Sequence, residues 1–123
     1  MTKNFTITEF YCNDANHTPV PALYVANCQR VMEQLQILRD YVNEAIHINC
    51  GYRTPQHNKA VGGKPLSQHL TANAADITVK TKSPKELAAI VEKLIAEKKL
   101  SFGGLGIYPG FIHVDCRKTK ARW

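Results

Sequence analysis

The sequence contains no Cys-x-x-Cys pair, although it carries four cysteines, Cys12, Cys28, Cys50 and Cys116, at wide and irregular spacing. That spacing gives no support to a cysteine-built zinc site or a thioredoxin-type redox motif. With no export signal, free thiols rather than disulfides are the expectation. No apolar run approaches the roughly 20 residues that a membrane-spanning helix needs, and Met1 to Glu9 lacks the continuous apolar core of a secretory signal. The chain is read as soluble, made in the cytoplasm without a signal peptide and without stable membrane association. Gly-x-Ser-x-Gly is missing and the cysteines carry no local activation signature, which disfavours a serine or cysteine hydrolase. Gly62-Gly63-Lys64-Pro65 lacks the Ser or Thr that a phosphate-binding loop places after its lysine, and no strand leads into it. Internal repeats and low-complexity stretches are also missing.

What is present is a chain of 123 residues with net charge +6, 44% hydrophobic and 21% charged residues. This composition suits one folded domain over residues 1–123, with enough chain to bury a single core. Arg117, Lys118, Lys120 and Arg122 cluster near the end of the sequence and Lys98 and Lys99 close a predicted helix. These are read as solvated positions. No interleaving of aromatic and basic residues accompanies the charge, so nucleic acid is not an expected partner.

Apolar residues recur at three- and four-residue steps from about Ala22 to Ala45, which predicts a long helix approached through Pro19 and Pro21. Ile46, Ile48 and Cys50 then alternate with His47 and Asn49, predicting a strand that ends at Gly51. Residues 54–70 contain Pro55, Gly62, Gly63 and Pro65, the pattern of a long loop with a helical turn near Gln56 to Ala60. Ala74 to Val79 reads as a second strand. Ser83-Pro84-Lys85-Glu86 carries an N-cap hydroxyl, a proline at the first helical position and a glutamate able to complete a capping box. Gly104 to Tyr108 and Phe111 to Cys116, separated by Pro109-Gly110, read as an antiparallel hairpin. The order is that of an α+β fold.

Four residues with metal-ligand chemistry fall in or beside these strands: His69, Asp76, His113 and Asp115. Alternation places Asp76 opposite Ile77 and Val79 and puts His113 and Asp115 together on one face. If the apolar faces pack on the helices, the polar ones converge on the other side of the sheet. Imidazole nitrogen with carboxylate oxygen suits zinc, and His69, Asp76 and His113 make a three-ligand set with Asp115 available as a base. On spacing alone, His113 is equally readable as a hydrogen-bonded strand histidine, Asp76 as a carboxylate paired with Arg53, and His69 as an exposed loop residue.

Ser67-Gln68-His69-Leu70-Thr71-Ala72-Asn73-Ala74-Ala75-Asp76 resembles the Ser-x-His-x-x-Gly-x-Ala-x-Asp signature of the zinc D-alanyl-D-alanine carboxypeptidases, a family that includes murein endopeptidases and phage endolysins. Gly51-Tyr52-Arg53-Thr54 resembles a second block of that family, and Gly103 to Pro109 with Phe111-Ile112-His113-Val114-Asp115 resembles its closing hairpin with a His-x-Asp pair. The resemblance spans about Ile48 to Arg117. It implies a small antiparallel sheet flanked by helices, of the hedgehog and DD-peptidase type, and a zinc metallopeptidase acting on stem peptides of peptidoglycan. It also implies one Zn²⁺ held by His69, Asp76 and His113, with Arg53 binding a substrate carboxylate or the polarised carbonyl.

Ser67 either contacts substrate or orders the loop, and Gln56 is a candidate to line the cleft. Two positions depart from the family pattern. Its usual glycine is replaced by Ala72 or Asn73, of which asparagine better tolerates a left-handed backbone. The acidic base that several members place three residues before the last zinc histidine is Gly110 here, so the base is either Asp115 or a residue contributed from elsewhere, and a rival assignment makes Asp115 a ligand with His113 behind it. The resulting expectation is a monomeric peptidoglycan carboxypeptidase or endopeptidase, endolysin-like, acting at the bacterial cell wall. The alternative is an inactive zinc-containing wall-binding module of the same fold.

Overall fold

A computed structural model describes residues 2–123. After a 3-10 turn at Ala22–Tyr24, helix α1 runs Val25–Val42 and buries Cys28, Val31, Met32, Leu35 and Leu38 along one side. It stops three residues short of the predicted end because Asn43 turns left-handed (φ 56°) and returns its N–H to the Arg39 carbonyl, a C-cap that asparagine tolerates. Strand β1 is Ile46–Cys50, α2 is Pro55–Ala60 and β2 is Ala74–Val79. Helix α3, Pro84–Ala96, begins with the predicted capping box: Ser83 accepts from the Glu86 N–H and Glu86 accepts from the Ser83 N–H. Strands β3 (Gly104–Ile107) and β4 (Ile112–Asp115) form the expected hairpin. A two-residue strand β5, Ala121–Arg122, completes the described elements.

The architecture is α+β, with a five-stranded sheet in the order β1-β2-β4-β3-β5. All pairings are antiparallel except β3 with β5. On one face Ala75, Ile77, Val79, Leu105, Ile112 and Val114 are buried in a core shared with α1 and with Leu87, Val91 and Leu94 of α3. Each buried Val, Leu or Ile among them contributes about 1.5–3 kcal/mol, so this face fixes the register.

The opposite face therefore carries the polar partners. Cα pairing places Cys50 beside Asp76, Asp76 beside His113, and His113 beside Gly106, one row across four strands. Cys50 reaches that row through a register shift between Ile48 and Cys50. Strict alternation had put Cys50 with Ile46 and Ile48 on the apolar side; the extra residue Asn49 reverses it, as a β-bulge does. Among the described residues no helix is long and apolar enough to cross a membrane.

Candidate metal centre

The chain leaves β1 through Gly51, where any Cβ would lie 2.7 Å from Phe10 Cα, so only glycine fits against the core at this point. That close approach fixes the Gly51 carbonyl, which accepts from His69 Nδ1 at 2.6 Å. His69 itself sits in a 3-10 turn, Gln68–Thr71, whose N-cap Ser67 accepts from the His69 N–H at 3.2 Å. The turn ends at Ala72, left-handed at φ 55° and fully buried. Of the two positions considered for the family's glycine, the left-handed one is thus Ala72 and not Asn73.

His69, Asp76 and His113 are 2, 5 and 6% exposed, enough burial that each polar atom needs a partner. His69 Nε2 and His113 Nδ1 each lie 3.1 Å from the same oxygen, Asp76 Oδ1. The far nitrogen of each ring is already engaged. His69 Nδ1 faces the Gly51 carbonyl, which can only accept, and His113 Nε2 faces Asp115 Oδ2 at 2.7 Å. Those acceptors place N–H on the far side of both rings, which leaves the inward nitrogens as the lone-pair sites of the neutral imidazoles. A carbonyl and a carboxylate behind two histidines are the outer partners that orient imidazole toward a metal.

Without a metal this geometry sets the charges. Burial pushes the His69 imidazole down, but the hydrogen bonds to Asp76 and Cys50 and the charges of both groups together outweigh it and carry it up to about 9. Burial likewise pushes Asp76 up, yet hydrogen bonds from His113 and His69 hold it well below the usual carboxylate range. Asp115 is also held low: burial opposes, and His113 and Arg117 prevail.

Arg53 leaves one guanidinium nitrogen 3.6 Å from Asp76 Oδ2 and donates another to Asn58 Oδ1 at 3.2 Å. Asn58, itself buried, donates to the Lys64 carbonyl at 2.9 Å and so ties Arg53 to the following loop. Gly63 permits this, since a Cβ there would collide with the Asn58 side chain. A cavity of about 490 Å³ opens over the cluster. Arg53, Ser67, His69, Asp76 and His113 line it, with Tyr108, Phe111, Arg117 and Trp123 along one wall and Val61 and Leu66 also contributing.

A sequence model of the family described as Peptidase M15 matches residues 3–115. The chain belongs to the M15 peptidase family. No curated protein matches it. Membership in M15 agrees with the motif blocks around Arg53, His69, Asp76 and His113, and it supports a zinc peptidase domain, because M15 peptidases are zinc-dependent.

Within this M15 chain, the structure brings His69, Asp76, His113, Arg53 and Ser67 together; Ser67 orders the loop as its cap and its residue also lines the cavity. Gln56 is exposed on α2 and does not line the cavity. Asp115 lies behind His113, fully buried and outside the cavity lining. Its Oδ1 accepts from the Arg117 backbone N–H at 3.2 Å and from Arg117 Nε at 2.8 Å, and its Oδ2 from His113 Nε2 and Arg117 Nη2. With four hydrogen bonds it has no free lone pair aimed at a reacting water. Gly110 is in open space in the hairpin turn.

Three neighbours were not singled out from the sequence. Cys50, His69 and Asp76 each offer a ligand atom within 4.8 Å of the others. Cys50 Sγ is 3.8 Å from His69 Nδ1, the nitrogen turned to Gly51, and Cys50 does not line the cavity. Arg117 and Trp123 are the others: the guanidinium carbon sits 5.2 Å from the Trp123 ring centroid, and that ring is 5.0 Å from His113. The readable signal for both was Gly104-Leu105-Gly106. Glycine in a strand marks a close approach, and a Cβ at Gly104 would strike the Asp115 carboxylate while one at Gly106 would strike the Trp123 indole.

Proposed function

We propose that the chain is a zinc-dependent metallopeptidase that hydrolyses peptide bonds in bacterial peptidoglycan, as a carboxypeptidase or an endolysin-like endopeptidase acting at the cell wall. The observation that carries this reading is the convergence of two oriented imidazole nitrogens on Asp76 Oδ1 at the floor of an open cavity. His69 through Nε2, His113 through Nδ1 and Asp76 through its carboxylate would hold one zinc ion. Two imidazoles and a carboxylate form a three-ligand catalytic set, which leaves a position for water or substrate. When bound, zinc supplies Lewis acidity toward a carbonyl and lowers the pKa of water to about 7.

The protein's own residues supply the rest. Asn58 and Asp76 anchor Arg53, and its remaining donors serve a peptide carboxylate or the oxygen of the scissile carbonyl, where a planar fork is worth most. Gly51 and Asp115 hold the imidazoles in the tautomers the site needs. Asp115 is thereby assigned to orienting His113 and not to proton abstraction. Tyr108 and Phe111, stacked with centroids 4.6 Å apart, and Trp123 form an aromatic wall that keeps bulk water from one side of the cavity. The net charge of +6 favours approach to an anionic wall polymer.

A second reading, a zinc-containing wall-binding module without activity, is favoured by one observation. Among the described residues that line the cavity Asp76 is the sole carboxylate, and it is committed to both histidines. Incubating zinc-loaded protein with purified peptidoglycan and counting newly released amino groups separates the two. Release that stops with a chelator and returns with zinc is expected, and mass spectrometry of the products identifies the bond. Zinc-replete protein that binds the wall but frees no amine from any stem peptide would establish the module instead.

A further inference from the structure

We propose that Arg117 is a positioning residue for the metal centre: it fixes the Asp115 carboxylate so that His113 presents Nδ1, and not Nε2, toward Asp76. This rests on the reading of His69, Asp76 and His113 as the zinc ligands. Histidine can offer either ring nitrogen, and the choice is set by what holds the other one. Here that group is Asp115 Oδ2, 2.7 Å from His113 Nε2. A lone carboxylate could rotate about its terminal bond and present either oxygen or neither. Asp115 has no such freedom, because Arg117 grips both of its oxygens at 2.8 Å in a two-pronged contact.

The grip is built into the sheet. Gly104, the cross-strand partner of Asp115, has no side chain, and the carboxylate occupies the space a Cβ would need. Beyond Arg117 the chain returns as β5 beside β3, with the Trp123 N–H donating to the Leu105 carbonyl at 3.1 Å and the Ile107 N–H to that of Trp123 at 2.8 Å. This lays the Trp123 indole against Gly106, the cross-strand partner of His113, with its Nε1 donating to the Tyr108 hydroxyl at 2.7 Å. The indole lies beside both the guanidinium and the His113 ring, 5.2 Å from the guanidinium carbon and 5.0 Å from the imidazole. Arg117 therefore has a fixed side-chain position although it touches neither His69 nor Asp76 by any hydrogen bond in the structure. Its effect on the centre passes through Asp115.

The test compares the parent protein with Arg117→Met, which removes the fork, and Arg117→Lys, which keeps the charge but not the two-pronged contact. Zinc affinity is read by competition with a chromophoric chelator, and folding of the zinc-free proteins by circular dichroism. In the zinc-loaded proteins the His113 ring N–H is followed by ¹⁵N-resolved NMR. We expect the parent to show a slowly exchanging proton on Nε2. R117M should lose about 3–10-fold in zinc affinity, less than the roughly 10–100-fold that follows removal of a metal-bound histidine's own outer partner, because Asp115 stays and keeps its bond from the Arg117 backbone N–H. R117K should recover part of that loss, with faster exchange of the Nε2 proton than in the parent. If R117M fails to fold, the exchange rate and affinity of R117K decide. Zinc affinities of the folded variants within twofold of a zinc-binding parent, or a parent whose His113 Nε2 carries no proton, would overturn the positioning role alone. A parent that binds no zinc would overturn the functional reading and this inference with it.

Discussion

Raising the pH of the zinc-free protein from about 6.5 to 9 should remove about 3 kcal/mol of folding stability through His69 alone. Its imidazole is carried up to about 9 in the folded chain against 6.5 for an unperturbed histidine, because hydrogen bonds and charge from Asp76 and Cys50 together more than offset its burial. Between those values the folded protein holds a proton that the unfolded chain has released. Stability then falls by about 1.4 kcal/mol per pH unit. The sign follows from a raised folded pKa: the contribution is complete below 6.5 and is lost as pH rises through 9. Zinc binding should run the other way, since it requires the neutral ring and releases the proton, so zinc affinity climbs over the same interval. The assay is urea unfolding in the presence of a chelator at half-unit steps from pH 5.5 to 9.5, for the parent and for His69→Gln. The parent should lose stability across the interval, less steeply than His69 alone would give, because His69 holds the Cys50 thiol below its usual range against its burial, while the variant stays nearly flat. Equal slopes for the two proteins, or no loss of stability in the parent, would refute the ion-pair reasoning.

Replacing His69 or His113 by Ala should abolish stoichiometric zinc, measured by elemental analysis after dialysis, while the core-facing residues of β2 and β4 keep the fold readable by circular dichroism. Gly104→Ala should cost about 1–3 kcal/mol in urea unfolding, because its Cβ meets a buried and fully bonded carboxylate. Gly106→Ala should cost less, since Trp123 is about half exposed and can move, and should shift the emission of what is the sole tryptophan in the sequence. Ser83→Ala should cost about 1 kcal/mol by removing the hydroxyl that caps α3, read from the urea midpoint. Arg53→Ala should lower kcat/KM on a peptidoglycan fragment by about 100–1,000-fold, with zinc content unchanged.

Much of this arrangement was readable in advance because period-two alternation dictates which strand residues share a face. Ala74 to Val79, Ile112 to Asp115 and the capped start of α3 carry strong local patterns, and the burial of Ile77, Ile112 and Val114 forces Asp76, His113 and Asp115 to the other side. What local pattern could not show is where the chain departs from its own period or returns from a distance. Asn49 adds one residue to β1 and moves Cys50 to the polar row, an event that no hydropathy pattern marks. Ala72 adopts the left-handed backbone that Asn73 would tolerate better, because the turn carrying His69 ends one residue earlier.

The largest revision concerns the basic cluster near the end of the sequence. Arg117 and Arg122 look solvated by composition, yet Arg117 grips Asp115 and Arg122 donates to Glu92 at 3.0 and 3.1 Å. Strand β5 is only two residues long and pairs parallel to β3, so its placement depends on long-range contacts. Asp115 shows the same limit. Its face was fixed by alternation, but its role turned on Arg117, two residues further on, whose guanidinium takes both carboxylate oxygens.

X-ray absorption at the zinc edge tests the ligand set most directly. A first shell of nitrogen and oxygen at about 2.0–2.1 Å, with the outer scattering of two imidazoles, is the result expected if His69, Asp76 and His113 hold the ion. A sulfur neighbour at about 2.3 Å would contradict it and place the metal on Cys50 instead.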